Sequence, residues 1–310
     1  MKISNLNILV LGGNGFIGSH LVDTLVEQGC FVKVFDRSNT NIQSKNYQFI
    51  KGDFLNDTEI AEAMQGCDIC FHLVSTVLPK TSNLDPLFDV ETNLLGTIRL
   101  LKHAVNFGIK KVIFLSSGGT VYGTPMQLPI NENHATNPIC SYGIIKLAIE
   151  KYLSLFHQIY NLEYSILRLS NPFGEKQSIN SAQGAVAVFL GKALRREPIE
   201  IWGNGSVIRD YIHISDVVLA MIQSIFYKGE EHIFNIGSGQ GISLNEVLQE
   251  IEVVVGYELE RKYTEGRTFD VPVSILSIER AMKELNWKPR VKFSEGLERM
   301  MNWIKNLQPC

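Results

Sequence analysis

The sequence predicts an α/β fold: a doubly wound parallel sheet with helices on both faces, and a smaller lobe drawn from the last third of the chain. Two observations carry this. Apolar runs of strand length alternate with helical patterns through roughly the first half of the chain. The first of these runs ends in a glycine-rich turn that opens directly into a helix. With 310 residues, 45% of them hydrophobic and 20% charged, the chain has enough apolar surface for one large domain or a main domain with a small lobe.

The first element, Asn7–Leu11, is the short apolar run of a buried parallel strand. It stops at Gly12-Gly13-Asn14-Gly15-Phe16-Ile17-Gly18, where Gly13, Gly15 and Gly18 satisfy G-x-G-x-x-G. In that motif the first glycine permits the tight turn, the second lets backbone approach a pyrophosphate, and the third lets helix pack on strand. Phe16, Ile17, Leu21, Val22, Leu25 and Val26 recur at helical spacing up to Gly29, and Phe31–Phe35 is the next strand, ending on Asp36. A strand, a glycine loop, a helix and an acid on the second strand end form a Rossmann-type dinucleotide unit, with the helix N–H groups aimed at phosphate. Asp36 favours NAD, since its charge repels a 2′-phosphate, while Arg37 keeps NADP open.

Tyr47–Asp53 reads as a third strand closing on an acid, which either caps the following helix or accepts from the adenine amino group; the strand-end position favours adenine. Asp68–Val74 is a fourth strand, Asp85–Phe107 a long helical pattern containing Asn93, Gly96 and Thr97, and Lys110–Leu115 a fifth strand leading into Ser116-Ser117-Gly118-Gly119-Thr120-Val121-Tyr122-Gly123. Next comes Ser141-Tyr142-Gly143-Ile144-Ile145-Lys146 at the start of a helix. Four residues apart, Tyr142 and Lys146 share a helical face, the geometry a tyrosine acid/base with a lysine helper requires. A free tyrosine ionises near pH ~10 and needs about 4 kcal/mol of help to ionise at neutrality. One positive charge about 4 Å away supplies roughly that much at an effective dielectric near 20.

The net charge of −3 gives no electrostatic reason to propose nucleic acid or an anionic membrane as partner. No apolar run approaches the roughly 20 residues of a membrane span, and the first is too short for a signal peptide, so the cytoplasm is the expected compartment. Five scattered cysteines do not suggest a disulfide framework. Cys67-Asp68-Ile69-Cys70 spells C-x-x-C, but it runs into a strand and lacks a second pair, so no metal site is expected.

Taken together, the loop Gly12–Gly18, Asp36, Asp53, Asn93 with Gly96-Thr97, Thr120–Gly123, Tyr142 with Lys146, Arg168–Asn171 and Gly203–Asp216 resemble the extended short-chain dehydrogenase/reductase family. Within it they are most similar to the nucleotide-sugar 4-epimerases of the UDP-glucose 4-epimerase type, over nearly the whole chain. The resemblance implies Tyr142 as the acid/base, with Lys146 also holding the nicotinamide ribose. The cofactor would lie along Gly12, Gly15, Phe16, Ile17, Gly18, Asp36, Arg37, Asp53, Phe54, Leu73, Val74, Ser75, Asn93, Ser116, Tyr142 and Lys146. Asn171, Arg209 and Arg267 resemble the family's contacts to the nucleotide diphosphate. Many members carry a serine or threonine where this chain has Gly118, so Ser117 or Thr120 takes over the sugar hydroxyl or that donor is absent. Sugar dehydratases and decarboxylases need an acid near Gly119 and Thr120, and this chain has none there.

The remaining third resembles the family's substrate lobe. Ala182–Leu194 reads as a helix, Pro198–Trp202 as a strand, Arg209–Asp216 as a lead into a helix that Asp216 stabilises near its start, Ile233–Gly237 as a further strand and Leu244–Val255 as a helix. His213 reads as a packed residue. The expected division is residues 1–170 plus about 205–236 for the dinucleotide domain, and about 171–204 and 237–310 for the discontinuous lobe. Ser274 stands where relatives restricted to glucose and galactose carry a bulky tyrosine, so the resemblance implies room for N-acetylated sugars. The expected reaction is NAD-dependent inversion at C4 of a UDP-hexose through a transient 4-keto sugar. A 4-ketoreductase of a nucleotide-linked deoxysugar is the nearest alternative, and a dinucleotide-sensing protein without catalysis a third. A homodimer built on the helices near 85–107 and 141–160 is expected, because both carry more apolar residues than one sheet-facing stripe requires.

Overall fold

The computed structural model describes residues 3–38, 46–79, 81–181, 183–265 and 271–307. Its first half alternates as the patterns require: β1 (Asn7–Leu11), α1 (Phe16–Glu27), β2 (Phe31–Asp36), β3 (Tyr47–Lys51), α2 (Asp57–Met64), β4 (Ile69–His72), α3 (Pro86–Asp89), a π-helical turn (Val90–Leu95), α4 (Gly96–Asn106), β5 (Lys111–Ser117), α5 (Ser141–Tyr160) and β6 (Glu163–Leu169). The strands read as continuous apolar runs because both faces are covered. Ile8, Val10, Val32, Val34 and Phe71 join a core with Leu21, Val22 and Leu25 of α1. Leu9, Leu11, Phe35, Cys70 and Phe114 join a second core with α2, α4 and α5 on the other face.

After β6 the chain crosses repeatedly between two bodies. β7 (Asn171–Phe173), α6 (Ala185–Leu194), β8 (Ile199–Trp202) and β9 (Ile208–His213) build the small lobe, then α7 (Ile214–Phe226) and β10 (Ile233–Ile236) return to the large sheet. β11 (Gly241–Ser243), α8 (Leu244–Val255), β12 (Arg261–Thr264) and β13 (Val273–Ser274) go back to the lobe, α9 (Glu279–Glu284) rests on β10, and α10 (Phe293–Leu307) closes the lobe against α8. The lobe has its own core, centred on Phe173, Phe189, Leu190, Ile201, Leu248 and Leu297.

The large sheet is parallel throughout, in the order β3-β2-β1-β4-β5-β6-β10. Strand order reverses between β1 and β4, and their carboxyl ends open a crevice there, the usual ligand position in such sheets.

Three local expectations change. The helix over 85–107 is interrupted by the π-helical turn at Val90–Leu95. The helix expected from Ala182 begins at Ala185 behind Gly184, whose φ of 87° is left-handed; Ala182 itself lies outside the described residues. The stretch after β13 does not stay in the lobe: Ala281, Leu285 and Trp287 are buried in the core beneath α1 and α7, and the Trp287 indole donates to Asp216 O at 2.9 Å. A large apolar ring with one donor needs both burial and an acceptor, and only the large domain provides them. Asp216 is correspondingly more than a dipole partner, since its Oδ2 accepts from the backbone N–H of Arg290 and Val291, both at 3.0 Å.

Candidate active site

The crevice begins at the glycine loop. The left-handed turn falls on Gly12, with φ of 79°, and not on Gly13 as the spacing suggests. Gly13 is needed for room: a Cβ there would lie 2.5 Å from Val34 Cγ1 on β2. A Cβ on Gly18 would lie 2.2 Å from Gly12 O, so α1 can sit this close to the loop only with glycine. The N-cap of α1 is Gly15, which brings no side chain to cap the first-turn N–H groups. Phe16 and Ile17, half-buried, start that turn. A Cβ on Gly12 would touch the backbone of Leu73 and Val74 at 3.4 Å, which places the loop against the segment after β4. Ser75, exposed, donates its hydroxyl to Val77 O at 3.0 Å.

Asp36 is fixed on the rim. Its Oδ2 accepts from Asn14 N at 3.0 Å, and its Oδ1 accepts from Ser38 N at 3.1 Å and Ser38 Oγ at 2.9 Å. A carboxylate held in place beside uncapped N–H groups fits the ribose and pyrophosphate of a dinucleotide. Arg37 is exposed. Asp53 is exposed and does not cap α2; Asn56 does, accepting from Glu59 N, while Asp53 Oδ1 accepts from Leu55 N at 3.0 Å. Phe54 turns inward, stacking on His72 with ring centroids 5.3 Å apart, and Gly96 clears its edge. Its contribution is to the core, because an apolar ring next to two buried elements gains more from packing than from a polar crevice.

Asn93, on the π-helical turn, is fully engaged with protein. Its Oδ1 accepts from Thr76 N at 3.0 Å, and its Nδ2 donates to Thr76 Oγ1 at 2.7 Å and Asp89 Oδ1 at 2.9 Å. It shapes the loop after β4 through these bonds. Ser116 is likewise committed, its buried hydroxyl donating to Glu150 Oε1 at 2.5 Å.

α5 brings Tyr142 and Lys146 to the carboxyl edge. Lys146 is buried, donates to Leu115 O at 2.8 Å, and lies 4.6 Å from the Phe114 ring centre and 5.5 Å from that of Tyr142. Burial pulls the ammonium down to about 8, partly offset by the negative charges of Glu150 and Asp89. Tyr142 departs from the expected depression. Burial pushes its phenol well above the ordinary range, and Cys140 and Asp89 push the same way. In this arrangement the lysine's charge faces a carbonyl, and desolvation of a phenolate outweighs it. His72, below Lys146, is pulled down by burial to about 3 and is neutral.

The loop after β5 explains Gly118. A Cβ there would meet Leu276 Cδ1 at 2.6 Å and Arg168 O at 3.1 Å, so a side chain at this position would have to push Leu276 aside. Ser117 is half-buried, and its carbonyl accepts from Thr120 N and Val121 N. The Thr120 hydroxyl is buried and has no hydrogen-bond partner among the described residues. Its carbonyl packs against Gly143, where a Cβ would come within 2.8 Å. That places Thr120 beside the first turn of α5.

On the lobe side, Asn171 donates to Asp210 O at 3.0 Å, and Arg209 Nη1 donates to Ile208 O at 2.9 Å and Val271 O at 2.7 Å. Ser274, buried, pairs in register with Arg209 across β13 and β9. Arg267 lies outside the described residues. His213 is buried; its Nδ1 lies 2.8 Å from Ser215 Oγ, and its Nε2 lies 3.2 Å from Glu175, whose carboxyl it draws down to about 2. Cys67 and Cys70 are buried free thiols, and burial pushes Cys67 up to about 11, away from thiolate chemistry.

The sequence pass overlooked two groups. Glu150 and Arg168 form a buried bidentate pair at 2.6 to 3.3 Å, and Arg168 also donates to Tyr122 Oη at 2.9 Å. Asp89, with no exposed surface, accepts from Asn93 Nδ2 and, at 2.8 Å, from Ser141 Oγ. Both had a signal. Tyr142, Lys146 and Glu150 recur every four residues, as do Asp89, Asn93 and Thr97, so each trio is a polar stripe on a helix face that should be apolar.

A sequence model described as the NAD dependent epimerase/dehydratase family matches residues 8–237. The chain is 37% identical over 305 residues to a putative UDP-glucose 4-epimerase of Methanocaldococcus jannaschii, covering 96% of this chain and 98% of that one. It is 35% identical over 314 residues to a dTDP-4-dehydro-6-deoxyglucose reductase of Escherichia coli, covering 96% and 97%. Among solved structures, the UDP-glucose 4-epimerase of Thermotoga maritima with UDP-glucose superposes with a TM-score of 0.92 at 34% identity, covering 97% of this chain and 99% of that chain.

Proposed function

Because the chain belongs to the NAD-dependent epimerase/dehydratase family, with the nucleotide-sugar epimerases among its relatives, we propose that it inverts C4 of a UDP-hexose through a transient 4-keto sugar. UDP-glucose, UDP-galactose and their N-acetyl forms are the proposed substrates. The observation that carries this reading is the pair Tyr142 and Lys146 on one face of α5, at the same sheet edge as the glycine loop and Asp36. When bound, NAD accepts a hydride from the sugar and returns it. Gly12, Gly15 and Gly18 would give its pyrophosphate access to backbone N–H groups, and Asp36 would hold its ribose. Tyr142 Oη takes the proton of the 4-hydroxyl and gives it back, while the Lys146 ammonium offsets the phenolate charge. Thr120 is favoured over Ser117 as the donor to the sugar oxygen, because a buried hydroxyl without a partner costs about 1–3 kcal/mol unless a ligand satisfies it. Asn171 and Arg209 would meet the diphosphate from the lobe side.

The relationship to a dTDP-sugar reductase favours one second reading, reduction of a 4-keto deoxysugar. Incubation with UDP, dTDP, GDP and CDP sugars separates the two. An epimerase purifies with bound NAD and interconverts a UDP-gluco and UDP-galacto pair with none added. A reductase consumes reduced cofactor stoichiometrically, and that result ends the epimerase reading. The same panel run on Ser274→Tyr should lose the acetamido sugars selectively, since an added ring overfills the pocket for the larger ligand only.

The proposed assembly is a homodimer. Leu87, Phe88 and Leu95 of the 86–106 helical stretch and Ile144, Leu155, Ile159 and Tyr160 of α5 are exposed, a larger apolar surface than scattered single residues account for. A monomeric mass in sedimentation at micromolar concentration would count against it.

A further inference from the structure

Asp89 stands out among the groups the reaction does not use. It has no exposed surface, yet its carboxylate is bonded by two neutral side chains: Asn93 Nδ2 on Oδ1 at 2.9 Å and Ser141 Oγ on Oδ2 at 2.8 Å. One partner lies on the π-helical turn and the other is the residue before Tyr142, so the carboxylate spans from the end of α3 to the first turn of α5. Ser141 N is held in addition by Asn83 Oδ1 at 2.8 Å. α5 starts without a side-chain cap from its own N-cap, Cys140, so this external tie fixes where the helix begins.

The charges around it are unequally matched. Asp89 acts on Tyr142 and Lys146; around these two stand Cys140, Glu150 and His72, with Arg168 bonded to Glu150. Arg168 is bonded to both carboxylate oxygens of Glu150, and His72 is neutral. Glu150 acts on the Lys146 ammonium more strongly than Asp89 does, but it is shared with Arg168, whereas among the described residues no cation contacts Asp89.

We propose that Asp89 is a positioning residue of this site, tying the tyrosine's helix to the π-helical turn and acting with Glu150 as a counter-charge of Lys146. The proposal rests on Tyr142 and Lys146 being the working pair. Its charge acts in one direction on both: it raises the phenol and holds up the ammonium. Removing it moves both ionisations, and with them both limbs of the pH profile, to lower pH.

The experiment compares wild type, Asp89→Asn and Ser141→Ala in kcat/KM against pH on whichever nucleotide sugar the wild type turns over. Asp89→Asn should displace both limbs to lower pH by about one unit, the size expected of a charge several ångströms away in a protein interior. Ser141→Ala, which removes one tie and no charge, should lower kcat several-fold with its limbs where the wild type has them. A folded Asp89→Asn enzyme whose profile superimposes on that of the wild type overturns the counter-charge. Thermal unfolding of Asp89→Asn, Lys146→Met and the double variant decides the same point without turnover. Stranding a buried ammonium should make Asp89→Asn the less stable single variant, and Lys146→Met on top of it should recover stability. Additive losses, or a double variant that fails to fold, overturn it. A wild type that turns over no sugar refutes the epimerase reading alone, and the unfolding comparison still decides Asp89.

Discussion

Two polar pairs meet one face of α5, and they have opposite characters. Glu150 meets Arg168 in a bidentate bridge, with Ser116 and Tyr122 satisfying further atoms of the same network. Tyr122 in turn donates to Asn235 Oδ1 at 2.7 Å, which ties β10 to the centre of the sheet. One turn earlier, Lys146 has a carbonyl and two aromatic rings for company, and burial pushes the ionisation of the Tyr142 phenol up. Lys146 and Glu150 are both buried on the same helix, so burial alone does not mark a working group. The two cations of these pairs move in opposite directions: the Lys146 ammonium is drawn down to about 8, toward the range where protons move, while the bridge pushes Arg168 further up.

The contrast is broken most severely at the tyrosine. Tyr142→Phe should lower kcat by about 10²–10⁴-fold, the usual worth of a positioned acid/base, with a melting temperature within about a degree of wild type. Arg168→Met should do the reverse. It strands Glu150 in the core and should destabilise the fold by about 3–5 kcal/mol in urea unfolding, with kcat per folded, cofactor-loaded molecule retained. Equal effects of the two variants on stability would erase the distinction. The smallest effect is in pH. Lys146 is charged below about 8 and loses its charge as pH rises through that value, so kcat/KM should fall by up to tenfold per unit above it. The sign for stability is opposite. The unfolded chain holds that proton up to about 10.4, so between the two values it binds more protons than the folded chain, and stability from this group rises with pH. Arg168 stays charged throughout and adds no limb of its own, but Arg168→Met leaves the Glu150 charge unshared near Lys146, so the alkaline limb should move to higher pH.

Short-range features were legible in the sequence. β1, β2, β4 and β5 each needed only an apolar run and a stop, and the paired spacing of Tyr142 and Lys146 needed only the helical repeat. Interactions formed by distant residues were not legible. Spacing assigned the turn to Gly13, whereas the choice between Gly12 and Gly13 depends on Val34 from another strand. Gly118 read as a missing hydroxyl, and the side chain that crowds its place, Leu276, lies far away along the chain. Asn93 and Ser116 carried polar groups at the right strand and helix ends, but whether such groups face a ligand or a neighbour depends on Thr76, Asp89 and Glu150. Trp287 shows the same limit at the level of lobes: a one-dimensional boundary cannot anticipate a ring that returns to cover α7.

The position of β10 has a consequence for the order of synthesis. Six strands of the large sheet are complete once Leu169 has been made, but β6 is then an outer edge with unpaired amides and carbonyls, and the segment that will cover it is still to come. Until Ile233–Ile236 emerges from the ribosome, the nascent chain carries an open parallel edge rich in Ile166, Leu167 and Leu169, the kind of edge that recruits strands from other molecules. Translation through the intervening stretch, which builds much of the small lobe, is therefore the interval in which this protein is most exposed to aggregation, and pairing of Asn235 into the Tyr122 network ends it.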